Sequence, residues 1–132
     1  MTVTVYHNPK CGTSRNVLEM VRASGVEPEV VEYLKTGWTA DQLTDLATRT
    51  GEGLKGLLRE RGTTAEERGL TADDVSDAAL LAAMVEDPVL VNRPIVITPK
   101  GAALCRPSER VLELLDPPPS RFVKEDGEIV GG

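Results

Sequence analysis

The stretch Val3–Met20, V-T-V-Y-H-N-P-K-C-G-T-S-R-N-V-L-E-M, decides the fold of this chain. A short β-branched run, Val3–Tyr6, enters a turn that contains proline and glycine, and an apolar pattern with a period of 3.6 residues starts soon after Cys11. The stretch therefore predicts a strand, a loop that carries a cysteine, and a helix.

The predicted position of Cys11, at the start of a helix, favours a reactive thiol. The first helical turn has free backbone N–H groups and a partial positive charge, which lower the pKa of a thiol placed there. The same free amides, at Gly12 and Ser14, with Lys10 and Arg15 nearby, would hold a tetrahedral oxyanion over the sulfur. Free cysteines are mostly small buried hydrophobes, but a polar loop with basic neighbours is a poor place to bury one. We therefore interpret Cys11 as a nucleophile.

The rest of the chain predicts an α/β fold of one domain, residues 1–132. Its expected order is β-α-β, then helices, then β-β-α, with a helical insertion at about 39–88 and an irregular C-terminal tail from about Pro117. The predicted elements are strand Val3–Tyr6, helix Ser14–Ala23 closed by Gly25, strand Glu29–Tyr33, helices Thr39–Thr50, Leu54–Glu60, Thr71–Asp74 and Ser76–Glu86, strands Pro94–Thr98 and Ala102–Cys105, and a last helix starting at Pro107-Ser108-Glu109.

Composition excludes several classes of function. With 15 basic and 21 acidic side chains the net charge is −6, which argues against a nucleic-acid binder, so any bound anion needs a local basic pocket. Only four aromatic residues are present, which leaves no platform for stacking bases or a flavin. Two cysteines and the lack of an apolar run near 18 residues favour a cytoplasmic protein that is not in a membrane.

Three separated motifs carry a family resemblance. They are H-N-P-K-C-G-T-S-R-N at His7–Asn16, L-L-R-E at Leu57–Glu60, and N-R-P-I-V-I-T-P-K-G-A-A-L-C-R-P-S-E at Asn92–Glu109. In these motifs the chain resembles the glutaredoxin-linked arsenate reductase family, with a weaker continuation in F-V-K-E-D-G-E at Phe122–Glu128. The resemblance implies a thioredoxin-like mixed sheet, reduction of arsenate to arsenite, and glutathione and glutaredoxin as electron donors. It implies no bound cofactor or metal, and we expect a monomer.

The resemblance assigns three arginines, Arg59, Arg93 and Arg106, to the surroundings of the catalytic cysteine. Each lies at the edge of an apolar segment, where an arginine on its own is more often solvated or paired with a glutamate. Chemically the assignment is sound, because a guanidinium forms bidentate bonds to oxyanions and does not deprotonate. The other arginines, including Arg15, are interpreted as surface charge.

His7 is the only histidine, and a lone histidine is more often structural than catalytic. A partly protonated imidazole near the loop would favour the Cys11 thiolate, and the resemblance gives its counterpart that role. Ser14 and Asn8 would orient the imidazole, donate to the sulfur, or only cap the loop and helix. The resemblance also implies a cis bond before Pro94, facing the thiol.

Cys105 ends a short apolar run, so it is either a buried strand residue, which we favour, or a resolving thiol. Cys11-Gly12-Thr13-Ser14 has serine where a dithiol motif has its second cysteine. The reaction must therefore draw another thiol from glutathione or a different low-molecular-weight thiol.

Three alternatives stay open. One is a thioredoxin-like regulator that binds RNA polymerase, although the C-x-x-C sensor of such a protein is absent. Another is a paralogue that acts on a different oxyanion or does not turn over. A phosphatase would need arginine six residues after the cysteine, where this chain has Val17.

Overall fold

The computed structural model describes residues 2–119 and 121–130. The chain divides into two compact units, one formed by the described residues up to Glu32 together with those from Arg93 onwards, the other by Tyr33–Asn92. Within the described residues, no helix is long and apolar enough to cross a membrane.

A four-stranded mixed sheet forms the centre of the first unit. Its elements are β1 (Thr4–Tyr6), α1 (Gly12–Ala23), β2 (Glu29–Val31), β3 (Ile95–Thr98) and β4 (Gly101–Leu104). The strand order is β2-β1-β3-β4. β1 pairs with β2 in parallel, whereas β1–β3 and β3–β4 are antiparallel. The predicted β-α-β unit is confirmed, and so are the two predicted strands, which form the β3–β4 hairpin.

The apolar side of α1 packs on this sheet. Val17, Met20 and Val21 are fully buried and share a core cluster with Val5 and Val96. Valine suits the strand positions Val5 and Val96, because a branched side chain packs well on the pleated surface of a sheet. The sheet and helix thereby fix both ends of the loop that carries Cys11.

The segment after β4 forms a 3-10 helix, Ser108–Leu114, instead of the predicted α-helix. The prediction of its start was sound, since Pro107 directly precedes it. Pro117 follows soon after this segment. So short a segment between two prolines forms the tighter i→i+3 hydrogen bonds of a 3-10 helix, and the Leu115 N–H accordingly donates to the Leu112 carbonyl.

The predicted irregular tail contains a two-stranded antiparallel hairpin of β5 (Phe122–Val123) and β6 (Ile129–Val130). Glu125, Asp126 and Gly127 form its turn, where Gly127 has φ +90° and its N–H donates to the Lys124 carbonyl. This turn was readable from the Asp-Gly pair between two apolar dipeptides.

The second unit is mainly helical. It comprises α2 (Tyr33–Thr36), α3 (Ala40–Thr50), α4 (Gly53–Leu57), α5 (Asp77–Glu86) and a 3-10 turn at Pro88–Leu90. α3, α4 and α5 pack against one another, and α3 begins with a cap in which Thr39 and Gln42 exchange hydrogen bonds. The helices expected at about 39–88 are therefore present, although the description of the whole chain as one domain stays a prediction.

The ends of two predicted elements are wrong, and one predicted helix is absent. β2 ends at Val31, and Tyr33 instead begins α2, where its ring stacks on Trp38. The helix predicted to reach Glu60 ends at Leu57, because Leu58 forms an antiparallel bridge with Val91. Thr71–Asp74 is a turn without helix.

Candidate active site

Cys11 is the N-terminal capping residue of α1, which begins two positions before the predicted start at Ser14. The Cys11 N–H donates to the Asn8 carbonyl at 3.0 Å, and its own carbonyl accepts from the Arg15 N–H at 3.0 Å. Asn8 also organises the loop through its side chain, which accepts from the Lys10 N–H at 3.0 Å. Cys11 thus lies at the N-terminus of α1, next to the free backbone amides, as the sequence predicts.

The surroundings of Cys11 favour its thiolate. Burial raises the pKa of this thiol, but hydrogen bonds from the Arg93 side chain, the Ser14 backbone N–H and the Arg106 side chain outweigh it and lower the pKa to about 7. The thiol is 9% exposed. A large fraction of Cys11 is therefore nucleophilic at neutral pH.

The β3–β4 hairpin brings Arg93 and Arg106 together, because one residue precedes β3 and the other follows β4. Arg106 Nη1 lies 3.7 Å from Cys11 Sγ and donates to the Arg93 carbonyl at 3.0 Å. The Arg93–Pro94 peptide bond is cis, as the resemblance implies. Two of the three predicted arginines are thus assembled at the cysteine by the sheet itself.

Arg59 belongs to the other unit, so its predicted role in the site stays a prediction. Its backbone N–H donates to the Leu90 carbonyl at 2.7 Å next to the Leu58–Val91 bridge. Its Nη1 donates to Asn92 Oδ1 at 3.1 Å.

His7 is buried at the end of β1 and contacts Ser14. Its Nδ1 lies 2.6 Å from Ser14 Oγ, which also accepts from the Asn8 N–H at 3.1 Å. Burial lowers the pKa of His7 below its ordinary 6.5, although Glu32 opposes the shift. The imidazole is therefore mostly neutral at pH 7 and less protonated than the partly protonated ring that was predicted, because desolvation disfavours the charged form.

We expect His7→Ala to destabilise the protein and to leave the pH midpoint of Cys11 alkylation in place. Loss of the buried bond to Ser14 removes about 1–3 kcal/mol from the free energy of unfolding. His7→Gln, which keeps a hydrogen-bonding group, loses less. An upward shift of the midpoint in His7→Ala would instead restore the role of His7 as a nearby cation.

Cys105 is fully buried at the end of β4, as predicted. Burial raises the pKa of this thiol to about 12. Its sulfur faces the Ala103 carbonyl at 3.7 Å. Such a thiol is inert, which argues against a resolving role.

The roles of Gly12 and Ser14 were predicted from the sequence, whereas the partner of Arg15 was not. Gly12 and Ser14 lie in the first turn of α1. The Ser14 hydroxyl forms hydrogen bonds with His7 and Asn8, and the Ser14 backbone N–H donates to the Cys11 sulfur. Arg15, interpreted as surface charge, binds the Glu125 carboxylate of the C-terminal hairpin at 2.7 Å. Only the Asp-Gly turn signal pointed to ordered structure there.

This combination of one reactive thiol, a β-α-β unit and a cation-bearing hairpin defines a thioredoxin-like protein whose second cysteine, Cys105, is fully buried. The chain belongs to the ArsC family, whose model matches residues 6–114. It is 54% identical over 129 residues to arsenate reductase ArsI2 of Synechocystis sp., covering 97% of this chain and 92% of that protein. The arsenate reductase of Escherichia coli K12 is 51% identical over the same shares. The solved arsenate reductase from Vibrio cholerae superposes with a TM-score of 0.82 at 39% identity, over 87% of this chain and 98% of that one.

Proposed function

We propose that this protein reduces arsenate to arsenite, with Cys11 as the nucleophile. The observation that carries the proposal is the Cys11 thiolate, whose pKa of about 7 is set by Arg93, the Ser14 amide and Arg106. The same guanidiniums suit a tetrahedral oxyanion bound over the sulfur. Relatives named arsenate reductases share about half of their residues with it.

In the proposed reaction the Cys11 thiolate attacks arsenic, and one arsenate oxygen leaves as water after taking up protons from solvent, so that a sulfur–arsenic bond replaces an oxygen–arsenic bond. Glutathione displaces a second oxygen in the same way. The glutaredoxin thiolate then attacks the glutathione sulfur, and the electron pair of that sulfur–arsenic bond stays on arsenic, which passes from the pentavalent to the trivalent state. Water releases arsenite from Cys11, and glutaredoxin leaves as a mixed disulfide with glutathione.

The residue roles follow this scheme. Arg93 and Arg106 neutralise the oxyanion and the thiolate, the Gly12 and Ser14 amides bind oxygen, and His7 positions Ser14. Arg59 joins them on the family resemblance. The use of glutathione and glutaredoxin also rests on that resemblance, and the monomeric state stays an expectation. The cytoplasmic location rests on the two cysteines and the lack of a long apolar run, since a reducing compartment is where a free thiolate persists.

Arsenite formation from arsenate tests the proposal. We expect turnover with glutathione plus glutaredoxin, little with thioredoxin, and none in Cys11→Ser under the same conditions. The family-based donor is wrong if another low-molecular-weight thiol supports faster turnover than glutathione. Failure of every donor to yield arsenite would refute arsenate reduction and leave an oxyanion of another element or a regulatory role.

A further inference from the structure

The C-terminal hairpin is attached to the first turn of α1 through Glu125. Arg15 Nε and Nη2 donate to the two carboxylate oxygens of Glu125 at 2.7 and 3.1 Å, and Arg15 Nη1 donates to the Pro9 carbonyl at 2.9 Å. The Glu125 backbone N–H donates to Asn16 Oδ1 at 3.1 Å. One residue of the hairpin thus fixes the guanidinium that holds the Cys11 loop.

The hairpin is also attached on its other side. Lys124, whose side chain is only 10% exposed, forms an ion pair with Glu109. Glu109 lies in the 3-10 helix that follows Arg106 and accepts from the Ser108 hydroxyl at 2.9 Å. Phe122 packs against the core of the same unit. The hairpin therefore joins the segment after Cys11 to the segment after Arg106.

The Arg15–Glu125 pair lies close to the nucleophile. A methyl group on Gly12, the residue after Cys11, would lie 3.7 Å from both Arg15 Nη2 and Glu125 Oε2. Arg15 interacts electrostatically with the Cys11 thiolate. A carboxylate so near a seat for an oxyanion repels the substrate unless a cation neutralises it, and Arg15 does so.

We propose that Glu125 is a positioning residue of the Cys11 site, which holds Arg15 beside Gly12 and against the Pro9 carbonyl and thereby sets the net charge next to the nucleophile. The hairpin lies beyond residue 114, where the match to the family model ends. This role rests on the proposed function only where it concerns arsenate turnover, because the pH dependence of Cys11 alkylation measures the effect of Glu125 without substrate.

The charged and titratable groups around Cys11 come from every neighbouring segment of its unit, and Arg15 and Glu125 complete a set otherwise dominated by cations. The set is Lys10 of the loop, His7 after β1, Arg93 before β3, Arg106 after β4, Arg15 of α1 and Glu125 of the hairpin. Because the charges of Arg15 and Glu125 are opposite, removing either one alone has an effect of opposite sign on the thiolate.

The test is the alkylation rate of Cys11 by iodoacetamide against pH in low salt, for the full chain. Glu125→Gln leaves the Arg15 charge unneutralised, so we expect the midpoint to fall by about half a pH unit. Arg15→Gln leaves the carboxylate unneutralised, so we expect a rise of about the same size. Both shifts shrink as salt is added.

Glu27→Gln is the matched control, because Glu27 pairs with Arg22 in the last turn of the same helix, at the end opposite Cys11. It leaves the Cys11 midpoint unchanged. If the Glu125 and Arg15 variants keep the wild-type midpoint, or both move it in one direction, the proposal is overturned and the hairpin is only a structural attachment. Shifts of opposite sign in the two variants support the role of Glu125 even if the protein forms no arsenite. Lack of arsenite formation would count only against the proposed function.

Discussion

Cys11→Ser is expected to abolish arsenate reduction, which is the largest effect we predict, whereas Cys105→Ser is expected to keep most of the wild-type activity. At pH 7 a thiol with a pKa of about 7 is about half ionised, whereas a pKa of about 12 leaves roughly one thiolate in 10⁵. A serine hydroxyl stays protonated in the same place and cannot attack arsenic. Arsenite formation in the two variants checks the assignment.

Alkylation of the wild-type protein gives an independent check. Iodoacetamide at neutral pH labels Cys11 first, since Cys105 is both fully buried and protonated. Mass spectrometry of the labelled peptides distinguishes the two sites. Preferential labelling of Cys105 in the folded protein would show that the nucleophile has been wrongly assigned.

Arg93→Ala and Arg106→Ala each lower kcat/KM for arsenate about ten- to hundredfold, because each removes a charge-assisted bond of about 1.5–3 kcal/mol. Both variants also raise the pKa of Cys11, since both side chains donate to its sulfur. The loss in kcat/KM and the shift in alkylation midpoint therefore occur together. We expect Arg59→Ala to lower kcat/KM as well, on the family resemblance.

Arg110→Ala is the control for the arginine variants. Arg110 lies in the Ser108–Leu114 helix close to Arg106 in sequence, and it is not among the groups that lower the pKa of Cys11. Its removal leaves the efficiency with arsenate near the wild-type value. Loss of efficiency in Arg110→Ala, with Arg93→Ala unaffected, would mean that the oxyanion binds on a different face.

The sheet of the first unit could be predicted from the sequence because its signals are local. Val3–Val5 is β-branched, Ile95–Ile97 is apolar, and Pro99-Lys100-Gly101 marks the turn between β3 and β4. The end of α4 could not be predicted in this way. Leu58 continues an apolar helical pattern, and only its bridge to the distant Val91 stops the helix.

The nucleophile and its cations were predicted in part from local pattern and in part from the family resemblance. The protonation state of His7 could not be predicted, because burial of the imidazole decides it and the sequence around a lone histidine does not show how deeply the ring is buried. Glu125 was missed for another reason. Its partner Arg15 stands 110 residues earlier, and a surface arginine carries no local sign of which carboxylate it binds.

The pairing of β1 with β3 also sets when the protein becomes reactive. A ribosome releases Cys11 and the helix that follows it well before Arg93 and Arg106, which come much later in the sequence. A growing chain can close β1–α1–β2 locally, whereas β3 has to return across a long separation to reach β1. Until then the sulfur lacks both guanidiniums, so a nascent chain carries an ordinary, slowly reacting thiol.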